Sequence, residues 1–347
     1  MFKNVTIIIP SYNRHRQLER LLDYYSNYRI SIIVGDSTSK PFPNLRRYKN
    51  VKYFHYPNYS YAKKIPLIYN KVKTKYVIFC GDDDFIIPKS IKKCIDFLEE
   101  NDDYSSVHGH YLRFIDYKNG ELKVFPAYLN SIDIDIDSNI PSVRLHQLSI
   151  NYMQLFYSVT RTRDIRELTK YLINTNDIKN DNLIELLQAI ILCINGKSKI
   201  LPFIYCMREH TPDSTGTYTD SLEVISVKKR YKKQYAAWVE IIVNQLIKKE
   251  GLTRDEALKK VSLSIEAFLK GLLIKFPFIT INLVKVKKII NDITLGIALK
   301  VYNLTINKTD PRTLKKHAYS KLSGKPVIDE VKNYIRKYSI SNQYDNV

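Results

Sequence analysis

The stretch Val5-Thr6-Ile7-Ile8-Ile9-Pro10-Ser11-Tyr12-Asn13-Arg14 decides the fold. Five β-branched residues in a row suit a short buried strand; Pro10 ends it, and Ser11 to Arg14 form a polar loop. Leu18, Leu21, Leu22 and Tyr25 then recur at helical spacing, so the unit reads strand, loop, helix. Working outward, Ile30-Ser31-Ile32-Ile33-Val34 predicts a second strand that runs into Gly35-Asp36-Ser37-Thr38-Ser39. Residues 51–56 predict a third strand, 61–72 a helix around Pro66, and 76–80 a fourth strand leading into Asp82-Asp83-Asp84. Strands alternating with helices predict a mostly parallel sheet covered on both faces. Ligands of such sheets bind at the carboxyl ends of the strands, which puts residues 11–14, 35–39 and 82–84 on one rim.

Three adjacent carboxylates repel one another unless solvent or a cation neutralises them. Taken alone, Asp82 to Asp84 fit a solvated turn as well as a metal site. Composition narrows the classes. With 347 residues, 44% of them apolar and 12% aromatic, the chain can bury one large core or two modest ones. Cys80, Cys94, Cys193 and Cys206 show no C-x-x-C spacing, which argues against a zinc site or a disulfide framework and fits a reducing cytoplasm. The opening residues run straight into a strand without the pattern of a secretion signal, and no apolar stretch has the length of a membrane span. The net charge of +20 is uneven: residues 222–347 hold 25 Lys and Arg against 11 Asp and Glu, an excess of 14.

Three segments carry a family resemblance. Ile9-Pro10-Ser11-Tyr12-Asn13-Arg14, then Ile33-Val34-Gly35-Asp36-Ser37-Thr38, then Phe79-Cys80-Gly81-Asp82-Asp83-Asp84 together resemble the nucleotide-sugar domain of GT-A glycosyltransferases, close to family 2. The likeness covers roughly the first 115 residues and weakens beyond about residue 215. It implies an α/β fold of GT-A type, a doubly wound, mostly parallel sheet, followed by a helical C-terminal extension. It further implies that Pro10 and Tyr12 line a nucleoside pocket and that Asp36 accepts a hydrogen bond from the base. Asp82 would face the ribose, and Asp84 a divalent cation, Mn2+ or Mg2+. Many relatives carry an acid where Gly81 stands, so the register can shift by one and Asp83 stays a candidate. The chemistry asks for such groups independently: breaking a sugar–diphosphate bond builds charge on the leaving oxygen, which a hard ion on carboxylates stabilises. Arg14, Lys63 and Lys64 are the cations available near the rim, although each also reads as solvated surface charge.

Asn180-Asp181-Asn182-Leu183 opens a strongly apolar helix. Asp181 suits helix capping; by resemblance it matches the family's catalytic base, with Asn180 where relatives carry Glu. Glu185, one turn on, and Asp177, one turn before, are the alternatives. Arg208-Glu209-His210 follows the apolar run 200–206, and the resemblance makes His210 a further metal ligand. Residues 152–161 resemble the acceptor-side segment of the same enzymes, though most of the run also suits a core. The alternating acids Asp133, Asp135 and Asp137 read as an exposed strand face, and His108-Gly109-His110 as acceptor lining or plain packing.

Domains are expected at 1–220, with a nucleotide-sugar half over 1–115 and an acceptor half over 116–220, and at 221–347 for a basic helical region. In the latter, Leu258, Val261, Ile265, Phe268 and Leu272 repeat at three and four residues beside Lys259, Lys260 and Lys270, and residues 276–304 are apolar with interspersed lysines. An ordinary helical bundle explains this pattern; attachment to an anionic membrane surface is the competing expectation. The sequence therefore predicts a metal-dependent, inverting transferase on the inner face of the cell membrane or in the cytoplasm. Its donor would be a nucleotide sugar, UDP-linked, and its acceptor a glycan or lipid-linked hydroxyl in surface polysaccharide synthesis. A nucleic-acid-binding role lacks any helix-turn-helix, RNP-like or zinc-finger pattern, and a nucleotidyltransferase would need glycines where Pro10 to Arg14 stand. A donor-binding domain without turnover is the non-enzymatic alternative, opposed by the presence of Asp82, Asp84, Asp181 and His210.

Overall fold

The computed structural model describes residues 2–116, 122–127, 135–175, 177–210, 220–275 and 325–337. Among them a nine-stranded sheet runs β3-β2-β1-β4-β8-β6-β9-β5, with β7 paired to β6 outside that path. The strands are β1 (Val5–Ser11), β2 (Ser31–Asp36), β3 (Val51–His55), β4 (Tyr76–Phe79), β5 (Phe85–Ile86), β6 (Tyr104–Asp116), β7 (Leu122–Pro126), β8 (Val159–Arg161) and β9 (Lys197–Glu209). The first four are mutually parallel in the order β3-β2-β1-β4. Short β8 runs antiparallel between β4 and β6, β6 and β9 pair in parallel, and β5 closes the edge antiparallel to β9. Val5, Ile7, Ile8 and Ile9 are wholly buried, as expected of a strand with helices on both faces.

Ten α-helices are described: α1 (His15–Ser26), α2 (Tyr61–Asn70), α3 (Pro88–Glu100), α4 (Pro141–Ile150), α5 (Thr162–Thr175), α6 (Asp181–Asn195), α7 (Leu222–Val227), α8 (Lys232–Glu250), α9 (Arg254–Lys275) and α10 (Lys325–Lys337). The Ser60 side chain caps α2 by accepting from the Lys63 N–H, and the helix continues through Pro66. It lies so close to β2 that a Cβ on Gly35 would stand 2.5 Å from Ile68 Cγ2, so only glycine fits there. At the start of α6, Asn180 and not Asp181 is the cap, its Oδ1 accepting from the Leu183 N–H at 3.1 Å.

One continuous apolar core joins the sheet to the helices beyond residue 220. Trp238 of α8 is buried and donates its indole N–H to the Leu183 carbonyl of α6 at 3.1 Å. In α9, Val261 is buried and Ile265 and Phe268 pack on the core, whereas Leu258 is exposed, so the apolar face of this helix serves the bundle. Lys260 donates to Ser142 Oγ at 2.9 Å rather than facing solvent alone. Residues 276–304 and their lysines lie outside the described residues, and among the described residues no helix is long and apolar enough to cross a membrane. Helix α10 returns to α1, where Tyr28 donates to Glu330 at 2.6 Å, Asn27 donates to the Tyr334 hydroxyl at 3.0 Å, and the Tyr24 and Tyr334 rings meet edge to face.

Candidate active site

The carboxyl ends of β1, β2 and β4 meet at one rim. Ser11 pairs in register with Asp36, and the Ser37 N–H donates to the Ser11 carbonyl at 2.9 Å. Asn13 takes a left-handed conformation, φ 56°, that lets its N–H reach Thr38 Oγ1 at 2.9 Å and ties the two loops together. Pro10 is partly buried in β1, and Tyr12 is 57% exposed on the rim.

Asp36 is wholly buried. Its Oδ1 accepts from the Thr38 N–H at 2.8 Å, and its Oδ2 accepts from the Tyr53 hydroxyl at 2.7 Å and meets His15 Nε2 at 2.6 Å. Burial alone would raise its pKa, but the hydrogen bonds from Thr38, Tyr53 and His15 outweigh it and hold the carboxyl below its usual value. Asp36 has no exposed surface in this arrangement. His15, whose side chain is 25% exposed, stands between Asp36 and solvent, and nothing in the sequence distinguished it from the helix that it opens.

Each of the three consecutive acids has its own protein partners. Asp82 accepts from Ser11 Oγ at 2.8 Å; burial first, then the Asp83 charge, raises it to about 7 against the pull of Arg14, Ser11 and Lys64. Asp83 is hydrogen-bonded by Arg14 Nη1, which also lies 3.8 Å from Asp82. Asp84 Oδ1 accepts from the Glu209 N–H at 3.0 Å, while its Oδ2 accepts from the Tyr157 hydroxyl at 2.5 Å and from Arg208 Nε at 3.1 Å. Burial raises the Asp84 carboxyl, and Arg208 opposes that rise. Behind the loop, Arg20 is fully buried and donates to the Asp83 carbonyl and to the Glu209 carboxylate, binding the loop to the end of β9.

This answers the crowding of Asp82 to Asp84 differently from the sequence expectation, because arginines supply much of the neutralisation. Both oxygens of Asp84 accept from protein donors. Asp83, with 14% of its side chain exposed, is the acid of the three that best reaches the rim. An ideal Cβ on Gly81 would lie 2.9 Å from Asp83 Oδ1, 3.0 Å from the Tyr157 hydroxyl and 3.1 Å from Asp84 Oδ2, so these oxygens fill the space that a side chain at 81 would occupy. The Asp83 carboxylate offers oxygen, the ligand atom that suits a hard Mg2+ or Mn2+ ion held by one carboxylate plus ligand phosphates, although Arg14 is hydrogen-bonded to it here. A preformed cage is absent: among the described residues no three His, Cys, Asp or Glu side chains gather as a metal-binding set. His210 follows β9, its N–H donating to the Phe114 carbonyl at 2.9 Å, and burial together with the charge of Arg113 lowers its pKa.

Lys64 lies at the centre of the rim. It is buried and donates to the Ser11 carbonyl at 2.6 Å; burial lowers it to about 8 although Asp82, Asp36 and Asp181 all stabilise its charge. Lys63, in contrast, is exposed and stacks over Tyr59 at 3.8 Å from the ring centre. Asp181 faces α2, its Oδ1 accepting from the Ala62 N–H at 3.2 Å, so it caps a neighbouring helix rather than its own. Burial raises its pKa, with Ala62 and Lys64 opposing. One turn on, burial raises Glu185 to about 7, the Asp181 charge adding to the effect and Arg208 and Tyr61 opposing it. Asp177 is not part of this group: it is exposed and accepts from Tyr171 on the surface.

The discounted segments are structural. His108 is buried against Tyr111 and Tyr205, and its pKa falls to about 4 through burial. A Cβ on Gly109 would stand 2.3 Å from the Phe203 carbonyl oxygen. Asp133 lies outside the described residues; Asp135 pairs with Lys199, and Ile136 between these acids is buried beside Ser198.

Comparison with known proteins agrees with this architecture. Residues 6–153 match the model for Glycosyl transferase family 2. An uncharacterized glycosyltransferase of Rickettsia bellii is 26% identical over 160 residues, and one of Rickettsia conorii is 27% identical over 159. Each match covers 41% of this chain but only 23% and 26%, respectively, of the relative, so the chain spans about a quarter of the length of these curated relatives. Among solved structures, S. aureus TarS 1–349 in complex with UDP-GlcNAc aligns with a TM-score of 0.51 at 16% identity, covering 99% of this chain and 93% of that one. The fold is thus of the GT-A kind, and the resemblance to glycosyltransferase family 2 lies in residues 6–153.

Proposed function

We propose that the chain transfers a sugar from a nucleotide-sugar donor, UDP-linked as in the TarS complex, to a hydroxyl of a glycan or lipid-linked acceptor. The observation that carries this reading is Lys64, buried at the rim with its ammonium donating to the Ser11 carbonyl at 2.6 Å and with the charges of Asp82, Asp36 and Asp181 acting on it. A buried ammonium at that junction suits the diphosphate of a donor whose base lies toward His15 and Asp36. The anomeric carbon would then point toward Asp181 and Glu185.

In the proposed step the acceptor oxygen forms its bond to the anomeric carbon as the bond from that carbon to the diphosphate oxygen breaks, the electron pair leaving on the diphosphate. The acceptor proton passes to a carboxylate of α6, Asp181 by preference, with Glu185 one turn behind it. Attack from the face opposite the leaving group makes the reaction inverting. Lys64 and Arg14 neutralise the departing charge. A divalent cation, when bound, supplies Lewis-acid neutralisation of the same diphosphate, and Asp83 is the carboxylate that would hold it. The division at residue 220 into a transferase domain and a helical extension, and peripheral attachment to an anionic membrane, remain part of this proposal.

Calorimetric titration of UDP and then of nucleotide sugars, with Mn2+ and with chelator, tests the donor site. Asp181→Asn is expected to abolish transfer while donor affinity stays within about twofold of wild type, because the residue acts on the acceptor. A parallel loss of donor binding would place Asp181 in the donor pocket instead.

A further inference from the structure

Helix α10 is far along the chain from the acid loop, yet a series of aromatic rings joins them. Tyr334 of α10 meets Tyr24 of α1 edge to face with ring centres 5.2 Å apart, and Tyr24 in turn meets Phe85 edge to face, also at 5.2 Å. Phe85 is the residue directly after Asp84, and the Arg20 guanidinium lies over its ring, 5.1 Å from the centre. Arg20 carries the series to the acids themselves: it donates to the Asp83 carbonyl at 3.1 Å and to the Glu209 carboxylate, while the Glu209 N–H donates to Asp84. Beside this path the Tyr25 hydroxyl accepts from the Ile86 N–H and donates to the Ile86 carbonyl, each at 3.0 Å, so α1 grips the chain immediately behind the loop.

Two members of the series depend on packing more than on polar bonds of their own. Tyr24 is wholly buried, and its hydroxyl has no hydrogen-bond partner among the described residues. Such an oxygen gains by reaching water, so the ring keeps its place only while it is covered. Arg20 is fully buried too; its Nε and Nη1 also lack partners among the described residues, which leaves Nη2 for the loop and β9 and the Phe85 ring as support for the guanidinium plane. Uncovering Tyr24 lets it turn toward water, takes the edge-to-face contact from Phe85, and loosens the guanidinium that ties the acid loop to β9. We propose that Tyr334 is a positioning residue for the acid loop: it covers Tyr24 and, through Phe85 and Arg20, holds Asp82 to Asp84 in the arrangement that receives the donor. The inference rests on the donor-site reading above and adds to it a distant helix on which that site depends.

The test compares the full chain as wild type, Tyr334→Ala, Tyr334→Phe and Val261→Ala, the last a buried truncation in α9 outside this series of rings. Amide hydrogen exchange over residues 82–87, read by mass spectrometry well below the unfolding temperature, reports the loop itself, and calorimetry with UDP and Mn2+ reports the donor site. Tyr334→Ala should speed exchange over 82–87 about tenfold and weaken UDP binding about three- to tenfold, within the reach of a remote packing change. Tyr334→Phe keeps the ring and should hold both readings within about twofold of wild type, which separates ring packing from the tyrosine hydroxyl. Val261→Ala should be less stable in urea with both readings unchanged. Exchange unaltered in Tyr334→Ala overturns the inference; so does UDP affinity unaltered in that variant while wild type binds UDP. Equal acceleration in Val261→Ala overturns it as well, since that means general loosening. Faster exchange in Tyr334→Ala alone, with UDP bound by none of the proteins, would sustain the positioning role and reject the donor reading.

Discussion

Glu185→Gln offers a quantitative check on the electrostatics of α6. Burial, with the Asp181 charge adding to it, moves the Glu185 carboxyl from 4.5 to about 7. At about 1.4 kcal/mol per pH unit, ionising this group in the native state costs about 3 kcal/mol relative to the unfolded chain once the pH exceeds 7. The sign follows from the direction of the shift: a raised pKa favours the native state below 4.5, and that advantage is lost as pH rises from 4.5 through 7. Glutamine keeps the shape and removes the ionisation. The variant should therefore be more stable than wild type by about 2 to 3 kcal/mol at pH 8, and by less than about 1 kcal/mol at pH 5. Asp82 titrates near the same pH but is present in both proteins, so the difference between them isolates residue 185. Urea unfolding of both proteins at the two pH values measures it. A stability difference that does not change with pH, or a variant less stable at pH 8, would refute the assignment of a buried, costly carboxylate at 185.

Two further substitutions probe the acid loop. Asp84→Asn keeps the shape but puts an amide donor where the carboxylate accepts from Tyr157, Arg208 and the Glu209 N–H, and should cost about 1 to 3 kcal/mol; denaturant unfolding reads this directly, and a variant as stable as wild type would mean that these bonds do not hold the loop. Gly81→Ala puts a methyl group about 3 Å from the oxygens of Asp83, Tyr157 and Asp84, and should cost about 1 to 3 kcal/mol while weakening nucleotide binding in calorimetry.

The first four strands were legible because parallel strands covered on both faces are continuous apolar runs, and the rule that ligands collect at their carboxyl ends placed Asp36, the acid loop and Arg14 together. The α6 segment was legible too, though its cap is Asn180, a residue whose side chain competes equally well for free N–H groups. What escaped was pairing at long range. Arg208 answers Asp84 across 124 positions and Arg20 answers Glu209 across 189, and no local periodicity marks an arginine as internal. The same limit hid the length of β9: residues 200–206 are apolar, but the strand extends over Lys197–Glu209 because the ladder with β6 carries its polar ends. Spacing also favoured Asp177 as an alternative base, yet the chain leaves helical geometry between α5 and α6, and that acid points to solvent.

The contact of α10 with α1 bears on biosynthesis. Glu330 joins Tyr28 across 302 positions, and Val331 and Ile335 are buried beside it. A ribosome working from the amino end releases α1 long before the helix that covers its tyrosine face, so a nascent chain holds that aromatic surface uncovered for most of its synthesis. Closing so distant a contact is slow, and premature stops or proteolysis upstream of residue 325 would leave a nearly complete sheet with an exposed, adhesive flank.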